Sequence, residues 1–127
     1  MAGTLTISTL SDGTNSTSST NCIQGSAKAW VQFSSGTVNA SYNVSSVTAN
    51  GTGDYTVTFT NAFADAKYCY TLAAQRVSNT NGDGPKAGVY FGGVLTGSIR
   101  VLIPRQTSSS GETYDTTWST VSVSCFR

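Results

Sequence analysis

Hydrophobic and polar residues alternate along most of this chain. In GSAKAWVQF, from Gly25 to Phe33, Ala27, Ala29, Val31 and Phe33 share one face of a strand, and Lys28, Trp30 and Gln32 the other. Lys28 and Gln32 suit a wet face; a tryptophan between them needs a reason. DYTVTFTN is the cleanest strand, with Tyr55, Val57 and Phe59 inward and Thr56, Thr58 and Thr60 outward. GSIRVLIP sets Ile99, Val101 and Ile103 against Arg100 and Leu102, and Pro104 is expected to end it because proline cannot donate to the ladder. TVNASYNVSSVT predicts one strand with Val38, Ala40, Tyr42 and Val44 on a single face. KYCYTLAAQ, KAGVYFGG and TTWSTVSVSCF complete the strand set.

Turn signals separate these runs: SSG after Phe33, ANGTG at residues 49–53, SNTNGDGP at 78–85 and TSSSGE at 107–112. Short strands divided in this way predict an all-β fold, an antiparallel β-sandwich. No segment has helical period, although NAFADAK has room for one turn, and no internal repeat is present. Residues 11–26, SDGTNSTSSTNCIQGS, are a polar low-complexity tract that reads as a linker on composition. Its ordering would require a partner chain. The expected organisation is an extended N-terminal arm or anchor over residues 1–24, followed by the sandwich over residues 25–127.

Composition strengthens this picture. The 127 residues suffice for one domain with a modest core, and charged residues make up only 10%, roughly half the usual share. Ser, Thr, Asn and Gly take their place, which favours strands and turns over helices. The net charge is +1 with no basic run to track phosphates, so no nucleic acid is expected as partner. No apolar run approaches the roughly 20 residues of a membrane helix, and the N-terminus lacks the marks of a signal peptide. The expectation is a chain made in a cytosol, without membrane insertion.

Candidate chemistry is sparse. Without histidine there is no Ser–His or Cys–His nucleophile. Glu112 and Asp115 are the only close carboxylates, and on one polar loop they read as a solvated turn rather than a glycosidase pair. NTNGDG echoes a calcium loop, but the position of its closing glutamate is Tyr90, so it reads as a plain turn. No catalytic residue, metal or cofactor is expected. Cys22, Cys69 and Cys125 cannot all pair within the chain; Cys125 shares parity with Val121 and Val123 and reads as a small buried hydrophobe. Four glycosylation sequons, at Asn15, Asn39, Asn43 and Asn50, are what chance gives at this composition. Trp30 and Trp118 leave two roles open: covering their own domain, or meeting a partner subunit or sugar ring.

Several of these words occur together elsewhere. GSAKAWVQF, then ASYNVSSVTANGTGDYTVTFTNAFADAKY, then a chain ending shortly after an alternating strand, VSVSCFR, resemble the C-terminal, distal-tip domain of bacteriophage tail-fibre proteins. The likeness is dense from about Gly25 to Tyr70 and loose beyond. It implies a non-enzymatic β-sandwich, usually a homotrimer, at the end of a virion fibre that touches the host. Under it, Lys28, Trp30 and Gln32 would form a subunit interface. Host surface glycan would be met by loops carrying Asn79, Asn81, Asp83 and Lys86, and Arg105, Glu112 and Tyr114. Residues 1–24 would attach the domain to other virion proteins, and the localisation would be the virion, made in the host bacterial cytoplasm. Fibres of this kind generally carry a long shaft before the tip, whereas here the tip motif begins near residue 25. A capsid decoration protein or head fibre is the alternative, and a free carbohydrate-binding module a more distant one.

Overall fold

The computed structural model describes residues 3–76, 88–107, 111–114 and 118–127. Its core is a pair of four-stranded antiparallel sheets. One has the order β4-β3-β12-β7, built from β3 (Ala27–Ser34), β4 (Thr37–Tyr42), β7 (Cys69–Arg76) and β12 (Trp118–Phe126). The other has the order β5-β6-β9-β8, built from β5 (Val44–Gly51), β6 (Asp54–Phe59), β8 (Gly88–Val94) and β9 (Ser98–Leu102). The inner faces meet to form the sandwich expected from the alternation.

Period-two patterning places the core. Ala29, Val31 and Phe33 of β3, Tyr55, Val57 and Phe59 of β6, Ile99 and Val101 of β9 and Val121, Val123 and Cys125 of β12 are buried, together with Tyr68 and Ile103. The four contributing strands are the central ones of their sheets, β3 beside β12 and β6 beside β9. No polar or charged residue is buried among the described residues. Phe33 and Tyr55 meet edge to face across the sheets, their ring centroids 5.0 Å apart.

The hairpins follow their turn residues. Ser35 and Gly36, both at positive φ, join β3 to β4, as a two-residue hairpin loop requires. Gly53, at φ 68°, serves the β5–β6 hairpin. Asn43 has φ 54° and turns the chain from one sheet into the other. Its amide nitrogen donates to the carbonyls of Lys28 and Asn61, both at 3.1 Å, and its side-chain oxygen accepts from the backbone N–H of Asn61 at 2.8 Å.

Five sequence expectations change. The long strand over residues 37–48 is two strands in different sheets, broken at Asn43. A bulge between Gln32 and Phe33 also puts Val38 opposite the buried Phe33, while Ala40 and Tyr42 lie opposite Gln32 and Trp30. An extra residue reverses parity, so the four residues do not share a face. Pro104 opens a strand rather than only ending one, since a first strand position needs no N–H from it. Within the expected loop over residues 107–112, Thr107 ends the strand β10 (Pro104–Thr107) and Gly111 and Glu112 begin β11 (Gly111–Tyr114), paired antiparallel with it; residues 108–110 lie outside the described residues. NAFADAK forms bends and no helical turn.

The polar tract is the fifth change. Residues 3–25 contain a hairpin of β1 (Thr9–Ser11) and β2 (Ser16–Ser18), followed by the seven-residue helix α1 (Ser19–Gly25). Asp12 accepts the N–H groups of Thr14 and Asn15 at 2.9 and 2.7 Å to close the hairpin turn, and Ser18 caps the helix by accepting from the Asn21 N–H at 3.1 Å. Local capping thus gives this tract structure, while none of its described residues is buried.

Candidate functional site: the outer face around Trp30

The register sets two rows across the outer face of the β4-β3-β12-β7 sheet. Tyr42, Trp30, Ser124 and Thr71 form one, and Ala40, Gln32, Ser122 and Ala73 the other. All eight residues are uncharged. Trp30 is 39% exposed and Tyr42 58%. A shallow depression of about 320 Å³ lies here, lined by Trp30, Val31, Gln32, Ala40, Ser122 and Ser124. Ser122 and Ser124 on β12 and Ala40 on β4 leave low ground beside the indole, while Tyr42 stands directly opposite it on β4.

Lys28 does not join this group. It is the extra residue where β3 and β12 shift register, between Ala27 opposite Phe126 and Ala29 opposite Cys125. Its ammonium donates to the Ile23 carbonyl and to Ser26 Oγ, the latter at 2.8 Å, and so ties the end of α1 to β3. Of the expected interface set, Trp30 and Gln32 are brought together and Lys28 is engaged with the N-terminal segment.

Asn79, Asn81, Asp83 and Lys86 lie outside the described residues. Arg105, Glu112 and Tyr114 sit on the β10–β11 hairpin, with Arg105 opposite Thr113, Glu112 opposite Gln106 and Tyr114 opposite Pro104. Arg105 is therefore out of ladder parity with Glu112 and Tyr114. Trp118 begins β12, paired with Arg76 of β7.

The opposite outer face, on the β5-β6-β9-β8 sheet, is hydroxyl-rich. Ser46, Thr58 and Ser98 are in register, as are Thr48, Thr56 and Arg100. Arg100 forms a two-pronged pair with Asp54, and its guanidinium, more than any other group, holds the Asp54 carboxyl below its ordinary pKa. Among the described residues, no cluster of three or more His, Cys, Asp or Glu could hold a metal ion. No helix among them is long and apolar enough to cross a membrane.

The sequence pointed to Trp30 and Gln32 through alternation, and VSVSC put Ser122 and Ser124 on an outer face. It did not say that β12 lies beside β3, the pairing that creates the surface. Tyr42 was missed as a neighbour of Trp30 because the bulge that aligns them leaves no distinct residue signal. No family model, curated protein or solved structure matches this chain. The class that the fold defines is an all-β antiparallel sandwich.

Proposed function

We propose that this chain is a bacteriophage virion structural protein of the tail-fibre tip type, assembled as a homotrimer in which a neighbouring subunit covers the Trp30 face. The observation that carries this reading is the uncharged outer face over the two central strands β3 and β12, with Trp30 at its middle and Tyr42 beside it. Interface centres are depleted in charge and enriched in Trp and Tyr, whereas a free face of this sheet has no need of either. The resemblance from Gly25 to Tyr70 supplies the kind of assembly.

The N-terminal segment supports attachment to other virion proteins. Leu5, Ile7, Leu10 and Ile23 are all exposed, Leu5 at 81%, and none of them joins the buried core of the described residues. The role is structural and adhesive rather than enzymatic. The host contact of this reading is with surface glycan, and assembly takes place in the host bacterium.

Two measurements test this. Light scattering on the purified protein is expected to give three times the 13.2 kDa chain mass. Trp30→Ser is expected to shift that mass to one chain while leaving the β-sheet circular dichroism intact. A wild-type protein that stays a monomer at all concentrations overturns the interface. Gold-labelled antibody on intact particles then separates the roles: label at the tail supports the fibre tip, and label spread over the head replaces it with capsid decoration.

A further inference from the structure

The β5–β6 hairpin contains an Asn-Gly step, Asn50–Gly51, whose setting combines three features. Asn50 is exposed, and it is the extra residue of a bulge: Ala49 lies opposite Tyr55 and Gly51 opposite Asp54, so no β6 residue stands opposite Asn50 in the ladder register. Bulge residues fall outside the regular ladder, so the backbone here is freer to turn than in the rest of β5. Gly51 has no side chain to obstruct its own nitrogen, and a Cβ built on it would meet nothing within 4 Å. The Asn50 side chain reaches across the hairpin, its amide donating to Thr56 Oγ1 at 2.8 Å and to Asp54 Oδ1 at 3.2 Å. Asp54 is in turn the carboxylate that holds Arg100.

We propose that Asn50 is a site of spontaneous covalent self-modification that converts its amide into a carboxylate facing Asp54. The Gly51 backbone nitrogen loses its proton to solvent and attacks the Asn50 side-chain carbonyl carbon. A carbon–nitrogen bond forms, closing a five-membered imide. The bond from that carbon to Nδ2 breaks, and the amide nitrogen leaves as ammonia, taking up a proton. Water then opens the imide at either carbonyl, adding hydroxyl to carbon and hydrogen to nitrogen, and yields a normal or a backbone-shifted aspartyl linkage. One water is consumed and one ammonia released, with no oxidation or reduction.

The fold acts on this reaction at both ends. The bonds to Thr56 and Asp54 hold the carboxamide across the hairpin and must break before Gly51 can attack, so they slow it. After reaction, two hydrogen-bond donors have become a second anion in front of Asp54. The new charge competes with Asp54 for Arg100 and removes one of the contacts that favour the ionised Asp54. The hairpin therefore carries a slow switch from a neutral bridge to a like-charge pair, set by time and alkalinity rather than by a ligand.

The test uses the full-length folded protein, held in mildly alkaline buffer at physiological temperature, with peptide mapping by mass spectrometry at residue 50. The expected result is the amide-to-acid mass increment at Asn50 with both aspartyl linkages present. Thr56→Val is expected to accelerate it about fivefold, the weight of one ordinary hydrogen bond. Gly51→Ala is expected to slow it strongly, because the methyl group crowds the attacking nitrogen. Asn50→Asp, which places the product charge directly, is expected to lower stability at neutral pH and to recover part of the loss as the pH falls toward the carboxylate range. The proposal is overturned if Asn50 stays unmodified in the folded protein over a time in which the denaturant-unfolded chain converts. It is overturned equally if Gly51→Ala reacts as fast as the wild type.

Discussion

Arg100 Nε and Asp54 Oδ1 lie 2.9 Å apart, and Arg100 Nη2 and Asp54 Oδ2 2.5 Å apart, so a guanidinium fork on β9 closes on a carboxylate at the start of β6. The pair lies on the outer face of its sheet and joins two neighbouring strands just outside the buried Tyr55 and Val101. The Arg100 hydrogen bonds lower the Asp54 pKa from 3.8 against a smaller opposing effect of burial. A depressed carboxylate contributes stability that is fully present above its unfolded pKa and is lost as pH falls through the lower folded value. The pair's contribution is therefore expected to hold down to about pH 4 and to fade below it. With the Arg100 side chain 37% exposed, solvent screening limits it to about 0.5–1 kcal/mol. Asp54→Asn should cost that amount at neutral pH and flatten the acid limb, measured by urea unfolding at stepped pH.

The core responds on a larger scale. Phe33 is fully buried and sits edge to face on Tyr55, bridging the two sheets. Phe33→Ala removes the ring and leaves a cavity between strands that are hydrogen-bonded in place, so the gap closes only partly. The expected loss is about 3–5 kcal/mol, read from the urea midpoint at unchanged slope.

Tyr68 ties one end of the sandwich. Its ring stacks on Phe63 with centroids 4.4 Å apart, and its hydroxyl lies 3.0 Å from the Leu95 carbonyl and 3.2 Å from that of Ser98. The crossover from β6 to β7 is thereby fixed to the β8–β9 turn. Burial, more than its neighbours Cys125 and Tyr70, pushes the Tyr68 pKa up to about 12. Tyr68→Phe keeps the stack and loses the hydroxyl, with an expected cost of about 1–2 kcal/mol in thermal or urea unfolding.

These three sites differ in how far the sequence disclosed them. Phe33 and Tyr55 were legible because each sits in a run of strict alternation, and a half-buried strand leaves no other pattern. Asp54 was legible as a polar residue beside a turn but not as the partner of Arg100, since forty-six residues separate them and only the β6–β9 pairing joins them. The expected strand KYCYTLAAQ includes Tyr68, but this residue lies one position before β7, and its stack on Phe63 and bonds to the β8–β9 turn are long-range contacts that local spacing does not encode. The Trp30 surface was half legible: alternation gave Trp30 and Gln32, while the bulge opposite them and the insertion of β12 between β3 and β7 are long-range choices that local spacing does not encode. The N-terminal hairpin escaped a reading based on composition because capping by Asp12 and Ser18, rather than burial, defines it.

The three cysteines are expected to separate by reactivity. Cys22 and Cys69 are exposed, and Cys125 is 1% exposed between Val123 and the end of β12. Burial, with Cys69 nearby as a smaller cause, raises the Cys125 pKa from 9.0 to about 11. A thiol reagent at neutral pH should label Cys22 and Cys69 in the native protein and reach Cys125 only on unfolding, as peptide mapping would show. The same shift has a second consequence. Keeping this thiol neutral favours the fold fully below pH 9, and that contribution declines as the pH rises toward 11.

Asn43 offers a way to weigh backbone strain against hydrogen bonding. At φ 54° it occupies a region that costs an ordinary side chain about 1 kcal/mol, and asparagine and glycine visit it most readily. Its side chain also joins β3, through the Lys28 carbonyl, to the chain leaving β6 at Asn61. Asn43→Gly removes the side-chain bonds and keeps the turn; Asn43→Ala removes the bonds and adds the strain. The glycine variant is expected to lose about 1–2.5 kcal/mol, for two or more hydrogen bonds at a partly buried corner. The alanine variant should lose about 1 kcal/mol more than glycine, offset in part by the lower entropy of alanine in the unfolded chain. Equal losses in urea unfolding would mean that the hydrogen bonds alone hold this corner; an alanine loss well above that of glycine would show that the positive φ is what selects asparagine at the point where the chain changes sheets.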